Sequence, residues 1–123
     1  MPILEVEVIG GAPIPERVRL AQRLADAAGA IFRSAPGATW VRVRELEPTE
    51  YAENATEPLT PGARPVFVRL LKQGLPDPEA MAREVEALTS AVALETGRPR
   101  DQVHVIYEPP AAGRVAFGGR LVS

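Results

Sequence analysis

Residues 1–11 read MPILEVEVIGG and have the pattern of a β-strand. Apolar and acidic side chains alternate through the stretch: Leu4, Glu5, Val6, Glu7 and Val8. This alternation predicts a strand with one buried face, because successive side chains of a strand point to opposite sides. The pair Gly10-Gly11 predicts its end.

Pro2 gives this strand a candidate chemical role. If the initiator methionine is removed, as cells commonly do before a proline, the secondary amine of Pro2 becomes the first atom of the strand. A free α-amino group has a pKa of about 7.7–8.0, and burial or a nearby cation lowers it because both disfavour the ammonium form. Pro2 is therefore a candidate general base. Proline is a common residue, so this interpretation needs support from the rest of the chain.

The chain repeats its pattern after about 62 residues. The first half predicts a strand, a helix ending near Arg33 and a second strand over 39–46. The second half predicts a strand over 65–72, a helix from Pro78 to Gly97 and a strand over 101–107. Matching positions are Pro2 with Pro65, Gly11 with Gly74, Pro15 with Pro78, and Arg42 with His104. We interpret this as an internal duplication of a β-α-β unit.

Two such units predict an α+β fold with a four-stranded sheet and both helices on one face. One domain is expected, with pseudo-repeats 1–46 and 65–123 joined by the connection 47–64, which has a candidate hairpin around Tyr51. Strand 65–72 has apolar residues on both faces, either Val66, Val68 and Leu70 or Phe67 and Leu71. The face away from the helices is therefore expected to be buried in a closed oligomer. The closing segment 109–121 predicts a small hairpin.

The amino-acid composition excludes or disfavours several classes of function. The chain has no cysteine and a formal net charge of -2, which exclude thiolate chemistry and argue against a nucleic-acid partner. It shows no signal-peptide pattern and no stretch near the roughly 20 apolar residues of a membrane span. We therefore expect a cytoplasmic protein with no membrane partner. We also expect no metal or organic cofactor, because the single histidine has no clustered ligands.

Together these features resemble the tautomerase superfamily, in particular 4-oxalocrotonate tautomerase and its fused, double-length relatives. The likeness rests on Pro2, the duplicated unit, the Val-Arg-Val around Arg42, and the closing Gly113 and Gly118-Gly119. The resemblance implies a homotrimer that catalyses enol/keto tautomerisation of a small 2-oxo acid, such as 2-hydroxymuconate or phenylenolpyruvate. It also implies that Pro2 is the base.

The resemblance also implies candidate substrate-binding residues. Arg42 matches an arginine that contacts the substrate from a neighbouring subunit. The alternative interpretation is that Arg42 is a solvated arginine of the strand, paired with Glu45 or Glu47. Lys72 lies near a carboxylate-binding position, with Arg69 and Arg114 as alternatives. Phe117 is a candidate pocket wall or a packing residue, and Tyr107 is a candidate donor to a substrate oxygen or a rim residue.

The sequence also departs from the family pattern. The arginine expected after the closing glycine of the first strand is replaced by Ala12, and by Leu75 in the second half. This keeps open a non-catalytic trimeric interaction module of the same fold. A hydratase resembling the dehalogenases would need a carboxylate where Phe117 stands, and a decarboxylase an aspartate where Thr39 stands. His104 is expected to be a hydrogen-bonded residue of a core strand.

Overall fold

The computed structural model describes residues 2–56 and 64–123. Strands β1 (Ile3–Ile9), β2 (Trp40–Leu46), β3 (Val66–Leu71) and β4 (Val103–Tyr107) form one sheet in the order β2-β1-β3-β4. β1 and β2 are parallel, as are β3 and β4, and the two pairs meet antiparallel between β1 and β3. The predicted four-stranded α+β fold is confirmed. The division into repeats 1–46 and 65–123 stays a prediction.

Helices α1 (Leu20–Phe32) and α2 (Pro78–Thr96) cover one face of this sheet. Every second side chain of β1 and β3 contributes to the core between them, and the buried helix residues complete it. The core includes Leu4, Val6, Val8, Leu20, Leu24, Ala28, Val66, Val68, Leu70, Leu88 and Val92. Burial of this apolar surface is the main stabilising contribution to the fold.

The ends of the helices follow local sequence signals. Asp77 caps α2 by accepting a hydrogen bond from the backbone N–H of Ala80 at 2.9 Å, and Gly97 ends it with φ of 71°. Pro15 matches Pro78 in the repeat, but unlike Pro78 it does not begin a helix. Residues 15 and 16 form a turn, and a short 3-10 helix, Arg17–Arg19, precedes α1.

The opposite face of the sheet is open in the single chain. It carries the apolar side chains Trp40, Phe67, Leu71 and Ile106, with exposed ion pairs between Arg42 and Glu5 and between Arg69 and Glu108. Of the two sets of β3 residues considered for this face, it is therefore Phe67 and Leu71 that lie on it. His104 is exposed here and packs against the ring of Phe67 at 5.5 Å, so its assignment to the core was wrong.

The described part of the connection has no strand. Pro48–Glu50 forms a 3-10 helix with a capping box between Glu47 and Glu50. The prediction of a hairpin around Tyr51 is therefore wrong for residues 47–56. Residues 57–63 lie outside the described part of the chain. The predicted closing hairpin is confirmed as β5 (Ala116–Phe117) and β6 (Arg120–Leu121).

Arg98 connects the two halves at the far end of β1. Its side chain, only 5% exposed, donates from Nη1 to the carbonyls of Ile9 and Arg64 at 2.9 and 2.8 Å. Burial, with a smaller effect of the nearby charge of Arg64, lowers the pKa of Arg98. No helix in the described part of the chain is both long and apolar enough to cross a bilayer.

Candidate active site

Strand directions bring four segments together at one edge of the sheet. β1 and β2 both start at this edge, and β3 ends there because it is antiparallel to β1. α1 ends at the same edge, since it must return the chain to the start of the parallel strand β2. Residues just before β1, after β3 and after α1 are therefore neighbours.

A cavity of about 480 Å³ lies at this edge, and Pro2 is part of its wall. Pro2 is buried, and its carbonyl accepts a hydrogen bond from the backbone N–H of Trp40 at 3.0 Å. The lining combines apolar and charged side chains: Pro2, Ile31, Phe32, Arg33, Ser34, Ala38, Lys72, Gln73, Gly74 and Glu84. Met1 lies outside the described residues.

Lys72 is held on one wall of the cavity by two partners. Its Nζ lies 2.9 Å from Oε2 of Glu84 and 5.0 Å from the centroid of the Phe32 ring. The other carboxylate oxygen of Glu84 accepts a hydrogen bond from the hydroxyl of Tyr107 at 2.7 Å. Burial, together with the nearby carboxylate, raises the pKa of Tyr107, so its hydroxyl remains a hydrogen-bond donor to Glu84 even at alkaline pH.

Arg33 is the second cation of the cavity. It directly follows α1 and adopts a left-handed conformation with φ of 53°, a position at which glycine is favoured. Within residues 2–56 and 64–123, its side chain makes no ion pair or hydrogen bond. An arginine in this state can bind a carboxylate through two parallel hydrogen bonds.

The structure brings only some of the predicted residues to this cavity. Pro2 and Lys72 line it, and Tyr107 reaches it through Glu84. Arg42 and Arg69 lie on the open face, and Arg42 pairs with Glu5 rather than with Glu45 or Glu47. Any role of Arg42 in the active site would therefore require a neighbouring subunit, as the resemblance implies.

The remaining two candidates lie in the C-terminal segment. Arg114 donates hydrogen bonds to the carbonyls of Pro109 and Pro110, which hold the bend after β4. Phe117 packs edge-to-face against Trp40, with ring centroids 5.4 Å apart. Neither residue lines the cavity of its own chain.

Sequence reasoning missed Arg33 and Glu84. Glu84 lies three residues after Met81 and four before Leu88, so its carboxylate falls on the apolar side of α2, and this spacing was the available signal. Arg33 could have been found from topology, because the end of α1 must return to the edge where β1 starts. No group of three or more acidic or histidine side chains suited to a metal ion occurs in the described part of the chain.

The chain resembles solved structures over nearly its whole length. It shares 18% identity and a TM-score of 0.78 with a fused 4-OT in an asymmetric trimer, covering 97% of this chain and 94% of the other. For Pt0534 inactivated by 2-oxo-3-pentynoate, the values are 20% and 0.76, with 97% and 95% covered. The chain has the fold of the tautomerase superfamily.

A third similar structure widens the range of chemistry found on this tautomerase fold. The FG41 malonate semialdehyde decarboxylase, inhibited by 3-bromopropiolate, shares 17% identity and a TM-score of 0.70, covering 94% of this chain and 88% of the other. No protein-family model and no curated protein matches the chain. At these identities the similarity establishes the fold alone.

Proposed function

We propose that this chain is a tautomerase that interconverts the enol and keto forms of a small 2-oxo acid, with Pro2 as its general base. One observation carries the proposal. Pro2 is buried at the start of β1 in the wall of a cavity that also contains the cationic side chains of Arg33 and Lys72. Proline at a processed N-terminus supplies a base with a pKa near neutrality, and burial together with the charge of Arg33 favours its uncharged form.

The reaction needs little beyond this arrangement. The nitrogen of Pro2 takes the proton from the enol hydroxyl as the O–H bond breaks, and returns it to a substrate carbon as a C–H bond forms. The cations stabilise the negative charge that develops on the 2-oxygen. Arg33 binds the carboxylate that the substrate carries throughout the reaction. Lys72, which is ion-paired with Glu84, faces the 2-oxygen.

We propose that the active form is a homotrimer. The open sheet face carries Trp40, Phe67, Leu71 and Ile106, which an isolated chain leaves partly exposed to water. The fused 4-OT structures with the same fold are trimers. In such an assembly Arg42 is a proposed substrate contact from the neighbouring subunit, while Arg69, Arg114 and Phe117 are proposed to act in packing.

The proposal is tested with phenylenolpyruvate, whose ketonisation is followed by loss of ultraviolet absorbance. Intact mass first establishes that Met1 has been removed. Wild-type protein is then compared with Pro2→Ala, which replaces the ring nitrogen by a more mobile primary amine. We expect the variant to be at least about tenfold slower, because positioning of the base is lost. Equal catalysed rates would overturn the role of Pro2, and a wild-type rate no faster than the rate without protein would favour the non-catalytic module.

A further inference from the structure

The cavity contains a carboxylate that does not contact the substrate in the proposed reaction. Glu84 lines the cavity, its side chain is 15% exposed, and both of its oxygens accept hydrogen bonds, from Lys72 and from Tyr107. It is the only acidic residue in the lining of this cavity among the described residues. A carboxylate at this place changes which substrates the cavity accepts.

The formal charges of the lining leave one cation for the substrate. The positive charge of Lys72 lies 2.9 Å from the negative charge of Glu84, so the two largely cancel. Arg33 has no anionic partner within residues 2–56 and 64–123. With Pro2 in its neutral, basic form, the lining within one chain carries one net positive charge. Arg42 of a neighbouring subunit would arrive already paired with Glu5, so it adds no net charge, and a single carboxylate neutralises the cavity.

The rest of the lining suits an apolar substrate tail. Ile31, Phe32 and Ala38 contribute apolar surface to the cavity, and the Phe32 ring already contacts the ammonium of Lys72. A second carboxylate in this space would meet Glu84 and the apolar wall. It would lose its hydration without gaining a cation, which is costly for a charged group.

We propose that Glu84 makes this cavity selective for 2-oxo acids with one carboxylate and an apolar tail, and against dicarboxylates. The inference rests on the proposed function, because it specifies the substrate of the same cavity. Among the substrates considered for the reaction, it selects the phenylenolpyruvate type over the 2-hydroxymuconate type. Glu84 acts here as a specificity residue: it repels the second carboxylate and keeps Lys72 on the cavity wall.

Binding of an unreactive pair tests the selectivity without turnover. Sorbate and trans,trans-muconate have the same diene and first carboxylate, and muconate has a second carboxylate in place of the methyl group of sorbate. Calorimetry on wild-type protein should give a dissociation constant for muconate at least about tenfold higher than that for sorbate. Equal affinities, tighter muconate binding, or no binding of either acid would overturn the inference.

Two variants test whether Glu84 causes the selectivity. Glu84→Gln keeps the size of the side chain and one of its two acceptor oxygens but removes the negative charge, and it should shift the sorbate-to-muconate ratio by about tenfold toward muconate. Glu86→Gln is the matched control, because Glu86 is an exposed residue of the same helix that pairs with Arg100 at 2.8 Å. It should leave the ratio unchanged. Equal ratios in wild type and Glu84→Gln would contradict the role of Glu84.

The outcome also separates this inference from the proposed function. Turnover of phenylenolpyruvate that depends on Pro2, combined with a ratio insensitive to Glu84, refutes the inference and leaves the tautomerase intact. Selective sorbate binding combined with rates that do not change in Pro2→Ala refutes the tautomerase. If Glu84→Gln does not fold, the comparison of sorbate and muconate binding to the wild-type protein remains the test. Equal wild-type affinities would then overturn the inference.

Discussion

Replacing Lys72 with methionine should destabilise the protein through the carboxylate it leaves behind. The Lys72 and Glu84 side chains are 21% and 15% exposed, so the carboxylate would be mostly buried with Tyr107 as its remaining donor. Loss of a charge-assisted hydrogen bond costs roughly 1.5–3 kcal/mol, and loss of the contact with Phe32 about 0.5 kcal/mol. Allowing for solvent screening, we expect a total of about 2 kcal/mol. For a chain of this size that corresponds to a fall in Tm of about 8 °C.

A double-mutant cycle tests the origin of this cost. Glu84→Gln in the Lys72→Met background removes the stranded charge, so the double variant should be about 1–1.5 kcal/mol more stable than the sum of the two single effects. Urea unfolding at one fixed chain concentration measures all four proteins. The exposed pair Arg100 and Glu86, treated in the same way, should give a coupling below about 0.5 kcal/mol. Additive effects at Lys72 and Glu84 would refute the reasoning.

Three further predictions follow from single positions. Arg33→Gly should raise the free energy of unfolding by about 0.5–1 kcal/mol, because glycine favours the left-handed φ of 53°. The same variant should lower kcat/KM for phenylenolpyruvate at least about tenfold. A variant that loses both stability and activity, or one that loses neither, would contradict this prediction. Gly97→Ala should cost about 1–2 kcal/mol in urea unfolding, since φ is 71° and the new Cβ would lie 3.0 Å from Cδ of Pro15; an unchanged midpoint would be contrary evidence. Because the pKa of Tyr107 is raised in the folded chain, its contribution to the free energy of unfolding is fully present below about pH 10, where an unfolded tyrosine ionises, and decreases above that pH. In Tyr107→Phe the free energy of unfolding should therefore decrease less steeply above about pH 10. An identical pH profile for the two proteins would argue against this prediction.

Much of the fold could be predicted because the sequence carries regular patterns. Alternation in 1–11 and 65–72, the helical spacing of Leu20, Leu24 and Ala28, and the repeat offset together determine the β-α-β units and their order. The start of α1 could not be predicted, because the turn at residues 15 and 16 places Glu16 at φ of 43° against its local preference. The position of His104 on the open face follows from strand register.

The site was predictable only in part. Pro2 and Lys72 came from chain position and resemblance, and both line the cavity. Arg42 was expected from a matching sequence position, but whether it reaches a substrate depends on a neighbouring subunit. Glu84 was missed because an acidic residue among apolar helix positions is ordinarily interpreted as the edge of a solvated face.

The most direct test of the central claim compares two forms of the same chain, one with a free Pro2 nitrogen and one with a residue retained before it. Intact mass identifies each form, and circular dichroism shows that both are folded. The account predicts that the free form ketonises phenylenolpyruvate at least about 10² times faster, because an amide nitrogen cannot accept the proton. Equal rates for the two forms would contradict it.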